Sequence, residues 1–155
     1  MAKQYWLMKS EPDVYSIETL IQDKTTLWSG VRNYQARNYM MKDMKIGDEI
    51  LFYHSNAEPP GVAGLAVVTK TAVPDPTQFE KKSEYYDEKA AKKKEAIWFC
   101  VEVGGPQKFK NFISLDELRK NPKLAKMVVL QKGSRLSVQP VSKEHFEIVK
   151  KMGGL

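Results

Sequence analysis

The chain has 155 residues, 42% hydrophobic and 28% charged, with one cysteine, two histidines and a formal net charge of +6. That length suits one domain spanning 1–155 with its own core, and the lone Cys100 excludes an internal disulfide and, with so few histidines, argues against a Cys/His zinc site. No run approaches the roughly 18 apolar residues of a membrane span, and the opening MAKQYWLMKSEP has no apolar leader segment, so a soluble cytoplasmic protein with no membrane partner is expected.

Residues 4–9 (QYWLMK) read as a strand, broken by Glu11-Pro12-Asp13. Ser16 can cap a short helix with Ile17, Leu20 and Ile21 on one side. Residues 25–28 form a short extended piece that ends at Ser29-Gly30. Asn33 can cap a helix from about 34 to 44, in which Ala36, Met40 and Met44 face the core and Arg37 another side. Residues 49–54 (EILFYH) and 61–71 are two strands of a hairpin with a long loop; Gly64 marks a bulge or a close backbone approach. Residues 73–79 are irregular. The charged stretch 80–95 is either a solvated helix or a mobile insert. Residues 97–103 (IWFCVEV) are a buried strand, and 109–113 another extended piece. Ser114 and Glu117 form a capping box that opens a helix to about Lys120, stopped by Asn121-Pro122. Residues 135–141 (RLSVQPV) alternate polar and apolar over the first positions. Ser142 caps a last helix to about Lys151, which Gly153-Gly154 ends. Strands and helices are mixed without βαβ alternation, so the fold class is α+β: a mixed sheet or barrel with helices around it.

The charge is unevenly spread. Residues 1–79 hold 8 basic and 9 acidic side chains, residues 80–95 hold 6 and 5, and residues 106–155 hold 11 and 4. A basic last third favours phosphate backbones, although a merely soluble surface reads the same way. Phosphate loops, the GxSxG elbow and HExxH are all absent. Acidic residues are scattered, which lowers the expectation of an enzyme or a cofactor.

Three segments pair aromatic or apolar anchors with hydrogen-bonding ends: LMKSEP (7–12), WSGVRNYQARN (28–38) and FYHSN (52–56). A base-reading pocket needs both, because a ring stacks on the base while fixed donors and acceptors read its edge. Trp28, just before a glycine turn, is the first stacking candidate; a core tryptophan is the alternative. Tyr34 or Tyr53 could form a second wall. Ser10, Ser29 and Asn33 could hydrogen-bond the base edge, with a plain helix cap as the alternative for Asn33. Arg32 and Arg37 are candidates for phosphates or stacking, or else for surface ion pairs. Lys9, Ser10 and Glu11 leave a strand end, where side chains often converge on a barrel mouth. Arg135, Ser137 and Gln139 share one strand face, as an electrostatic rim or as a solvated surface. Trp6, Trp98 and Phe99 read as core and Cys100 as an inert buried thiol.

The stretches WLMKSEP, WSGVRNYQARNYM, GDEILFYHSN, PGVAGLAVV, DPTQF and RLSVQPV closely resemble the EVE domain family over nearly the whole chain. The charged stretch 80–95 matches least. The resemblance implies a PUA-like fold, a small twisted mixed β-barrel with surrounding helices, in a superfamily that includes PUA, ASCH and YTH domains. A more distant likeness to YTH domains puts Trp28, Ser29, Ser10 and Glu11 at a base pocket. Glu11 departs from the amide of the YTH pattern, and an ionised carboxylate accepts hydrogen bonds but donates none. The resemblance thus implies a non-catalytic module that reads a modified base of DNA or RNA, with no cofactor and a monomer as the default. Two rivals remain at this level. One is an enzyme acting on a modified nucleotide or base, with Glu11 or His54 as acid or base. The other is a module for a small anionic ligand or a protein partner.

Overall fold

The computed structural model describes residues 3–132 and 136–155. In chain order the elements are β1 (Tyr5–Ser10), α1 (Ile17–Asp23), β2 (Thr25–Leu27) and α2 (Tyr34–Asn38), which runs on as a π-helical turn (Tyr39–Asp43). Next come β3 (Glu49–His54), β4 (Gly61–Pro74), a 3-10 turn (Pro76–Phe79), α3 (Glu88–Lys93) and β5 (Phe99–Ser114). Then follow α4 (Leu115–Lys120), two 3-10 turns (Pro122–Leu124 and Val128–Leu130), β6 (Val138–Val141) and α5 (Lys143–Met152). The strands make one six-stranded sheet in the order β2-β5-β4-β3-β1-β6. β1 and β3 are parallel, and the other neighbours are antiparallel.

Side-chain alternation gives the sheet two buried faces. Trp6, Met8, Ile50 and Phe52 face one side and meet Ile17 and Leu20 of α1 and Ala36 and Met40 of the next helical segment. Leu7, Leu51 and Tyr53 face the other and meet Leu118 of α4 and Phe146 and Val149 of α5. The stripe Ala36, Met40, Met44 is buried in the first of these cores, as its spacing predicts. Helices start where the sequence offers caps: the side chains of Ser16, Asn33, Ser114 and Ser142 accept from backbone amides three residues on.

Three expectations are corrected. The extended pieces at 97–103 and 109–113 belong to one long strand, β5, which opens at Phe99. Residues 80–95 form only the six-residue α3, preceded by turns that pack back on the molecule: Trp98 Nε1 donates to Asp87 at 2.9 Å. And the sheet is not a closed barrel, since among the described residues no ladder joins β2 to β6. The pairing between β4 and β5 shifts register repeatedly, and bulges of this kind bend a sheet. Gly64 sits at such a shift, where a Cβ would lie 2.4 Å from the Gln107 carbonyl oxygen. The sheet curls until β2, at one edge, and β1, near the other, border the same hollow. No ladder joins these two strands among the described residues, and the cavity is lined from both.

Candidate nucleic-acid interface

That hollow has a volume of about 560 Å³. Lys9, Ser10 and Glu11 border it from the end of β1, Thr26 and Leu27 from β2, and Trp28 to Asn33 from the loop that follows. Val14, Tyr15, Ser137 and Tyr85 complete the wall. Trp28 is a buried core residue that also borders the hollow. Its indole is 8% exposed and packs at 83° to the Phe52 ring with centroids 5.4 Å apart. The Trp28 amide donates to the Val101 carbonyl at 2.8 Å, which fixes the residue to the sheet edge just past β2.

The polar groups differ in what they have left to offer. Ser10 Oγ donates to the Tyr15 carbonyl at 2.6 Å, so its oxygen faces the hollow only as an acceptor. The Ser29 hydroxyl is exposed and has no partner among the described residues. Asn33 caps α2 through Oδ1, which accepts from the Ala36 amide at 2.9 Å and leaves its amide nitrogen to donate. Glu11 is exposed and accepts from Asn56 Nδ2 at 3.2 Å. Lys9 reaches over the Tyr53 ring at 5.8 Å, and burial pulls its ammonium below the usual lysine range.

Five expected site residues lie elsewhere. Tyr34 stacks on Trp98 with centroids 4.9 Å apart, outside the hollow. Tyr53 is buried in the second core, because alternation along β3 turns it to the face opposite Phe52. His54 is buried and accepts from the Ile17 amide through Nε2 at 3.2 Å. Arg37 donates to the Ile97 carbonyl and to Asn38 Oδ1 and lies 4.8 Å over the Tyr34 ring. Gln139 is 1% exposed and donates to the Leu136 carbonyl, so it is no part of a solvated face. Arg135 lies outside the described residues. The basic residues among 106–132 and 136–155 do not border the hollow; Arg119, Lys120, Lys143, Lys150 and Lys151 lie on α4 and α5, while Lys108 of β5 pairs with Glu18 of α1.

Arg32 borders the hollow, but its five N–H groups are all taken. They donate to the Val31 carbonyl, to Asp75 Oδ2 at 3.1 Å, to Thr77 Oγ1 at 3.0 Å and twice to the Tyr85 carbonyl. Phosphate binding by Arg32 would break this clamp. Its guanidinium lies 5.0 Å from the Trp98 ring and 5.4 Å from the Tyr85 ring. Asp75, whose side chain is 2% exposed, also accepts from the Gly30 amide at 2.7 Å and from Thr77. Burial pushes the Asp75 carboxyl up, but the bonds from Thr77, Gly30 and Arg32 outweigh it and hold the carboxyl below its ordinary range.

The sequence reading missed Tyr85, Thr26, Val14, Tyr15 and Val31. Tyr85 sits in the most highly charged stretch of the chain and carries no local signal of a binding role. Gly30, at φ +83°, is what admits it: a Cβ there would lie 2.7 Å from Tyr85 Cε2.

An open six-stranded mixed sheet with helices packed on both faces is an α+β fold of the PUA-like kind. The EVE domain family model matches residues 4–152, and this chain belongs to that family. Thymocyte nuclear protein 1 of Homo sapiens is 44% identical over 163 residues, covering 94% of this chain and 72% of its own length. A Pseudomonas putida protein of known crystal structure is 44% identical with a TM-score of 0.90, covering 96% of this chain and 99% of its own. The human THYN1 protein, solved in complex with DNA containing 5-methylcytosine, is 41% identical with a TM-score of 0.89, covering 99% of both chains.

Proposed function

We propose that this chain is a non-catalytic reader of a modified base in DNA, with 5-methylcytosine the first candidate, and that the base enters the hollow beside Trp28. The observation that carries the reading is the coincidence of one indole and several unused polar groups around a cavity of about 560 Å³, within the range of about 300–1,000 Å³ usual for ligand sites. The complex of the human relative with methylated DNA supports DNA as the polymer.

In this reading the base leaves the stack and lies against the indole. The Ser29 hydroxyl, the Asn33 amide and the Ser10 oxygen meet its edge. Glu11 accepts from an exocyclic amino group, the pairing a carboxylate makes with cytosine N4. Lys9 and Ser137, at the rim, take the flanking backbone. One feature supports binding over catalysis: His54, the one candidate acid–base imidazole near these segments, serves as an acceptor for α1.

Calorimetric titration with a duplex carrying one 5-methylcytosine tests the reading. Trp28→Ala should weaken binding by about 1–3 kcal/mol, the worth of one base–aromatic stack. Equal affinity in the variant and the parent removes the pocket.

A further inference from the structure

The proposed stack needs a second boundary, and both tyrosines that the sequence suggested for it lie elsewhere. Tyr85 is 36% exposed and borders the same hollow as Trp28. It is held by a chain of contacts that begins well away from it. Tyr34 stacks on Trp98, Arg32 lies over Trp98, and Arg32 lies in turn over Tyr85. The same guanidinium grips the Tyr85 carbonyl at 2.7 and 3.2 Å and is anchored on the buried Asp75. Asp75 also holds the Gly30 amide, and Gly30 is the residue against which the Tyr85 ring rests. One carboxylate therefore sets the positions of the loop after Trp28 and of the segment carrying Tyr85.

We infer that Tyr85 is the second aromatic wall of the base pocket, a specificity-determining residue delivered by the charged segment 80–95, and that Arg32 is the positioning residue that holds it. The inference rests on the base-reading proposal above. A modification projecting from the base edge would meet this ring, so the ring's position limits which modifications fit. Tyr85 itself belongs to neither hydrophobic core, so its substitution alters the wall and not the sheet's two buried faces.

The test is an anisotropy titration of two labelled duplexes, one with a single 5-methylcytosine and one unmodified, against the full chain and four variants. Tyr85→Ala should lose roughly 5- to 100-fold in affinity for the methylated duplex, the range of one aromatic stack, and should narrow the preference over the unmodified one. Tyr85→Phe should keep both. Gly30→Ala, whose methyl group pushes the Tyr85 ring away, should behave like Tyr85→Ala. If Trp28→Ala weakens binding while Tyr85→Ala matches the parent, the wall is wrong and the reader stands. If Tyr85→Phe is as weak as Tyr85→Ala, the ring is not the wall. If the parent shows no preference, or Trp28→Ala binds as the parent does, the reader fails and the wall with it. Thermal melts of each variant accompany the titration. A Tyr85→Ala midpoint equal to the parent's, with affinity lost, assigns the loss to the pocket; a fall in both for Tyr85→Phe and Tyr85→Ala alike contradicts the inference.

Discussion

Asp75 gathers donors from three parts of the chain. Its carboxylate accepts from the Gly30 amide, from Arg32 and from Thr77, and its side chain is almost wholly out of water. Removing its charge leaves a partly buried guanidinium without its counter-ion, a loss of about 3 kcal/mol for pairs of this kind. Asp75→Asn should therefore lower the unfolding free energy by that amount, read as a lower urea midpoint at unchanged slope, and weaken DNA binding as well, since Tyr85 and Gly30 both depend on it. The carboxyl titrates below its ordinary value of 3.8 when folded, so its contribution is present above that pH and lost as pH falls through the folded value. None of this clamp was legible in the sequence, because the partners of Arg32 other than Val31 lie 43 to 53 residues away. Trp28, in contrast, stood out in the sequence: just before a glycine turn it was the first stacking candidate, with a core tryptophan as the alternative, and it is buried and borders the hollow.

At the scale of elements, local signals served well and distant ones did not. Ser16, Asn33, Ser114 and Ser142 announce helices because a cap needs only its own next three residues. The faces of β3 were ambiguous, since Ile50 to His54 are all buried and alternation shows only against neighbouring strands. That ambiguity misplaced Tyr53 and His54. His54 in fact joins two elements, for its Nε2 accepts the Ile17 amide at the start of α1. Burial lowers the His54 pKa below the ordinary 6.5, and the bond requires a neutral ring. An unfolded chain takes up the proton first, so stability is full above about pH 6.5 and falls as pH drops below it. Urea midpoints of the parent at pH 7.5 and 5.5 should differ in that direction, and His54→Gln, which does not titrate, should reduce the difference.

Over the whole molecule, two cores flank one sheet, and the hollow and the basic helices lie in different layers. The layer of α1 and α2 carries the hollow; the layer of α4 and α5 carries Arg119, Lys120, Lys143, Lys150 and Lys151. Composition revealed the basic third of the chain but not its side of the sheet, because charge along a sequence says nothing about how a sheet curls. The open gap between β2 and β1 is likewise a property of the β4–β5 bulges and of strand lengths, which the α+β pattern alone does not fix. The most direct measurement is an amide chemical-shift titration of the full chain with a short duplex containing one 5-methylcytosine. The account predicts that the largest shifts fall on Ser10, Glu11, Ser29, Gly30 and Tyr85 and on the Trp28 indole N–H. Shifts centred on α4 and α5, with those signals unmoved, would contradict it.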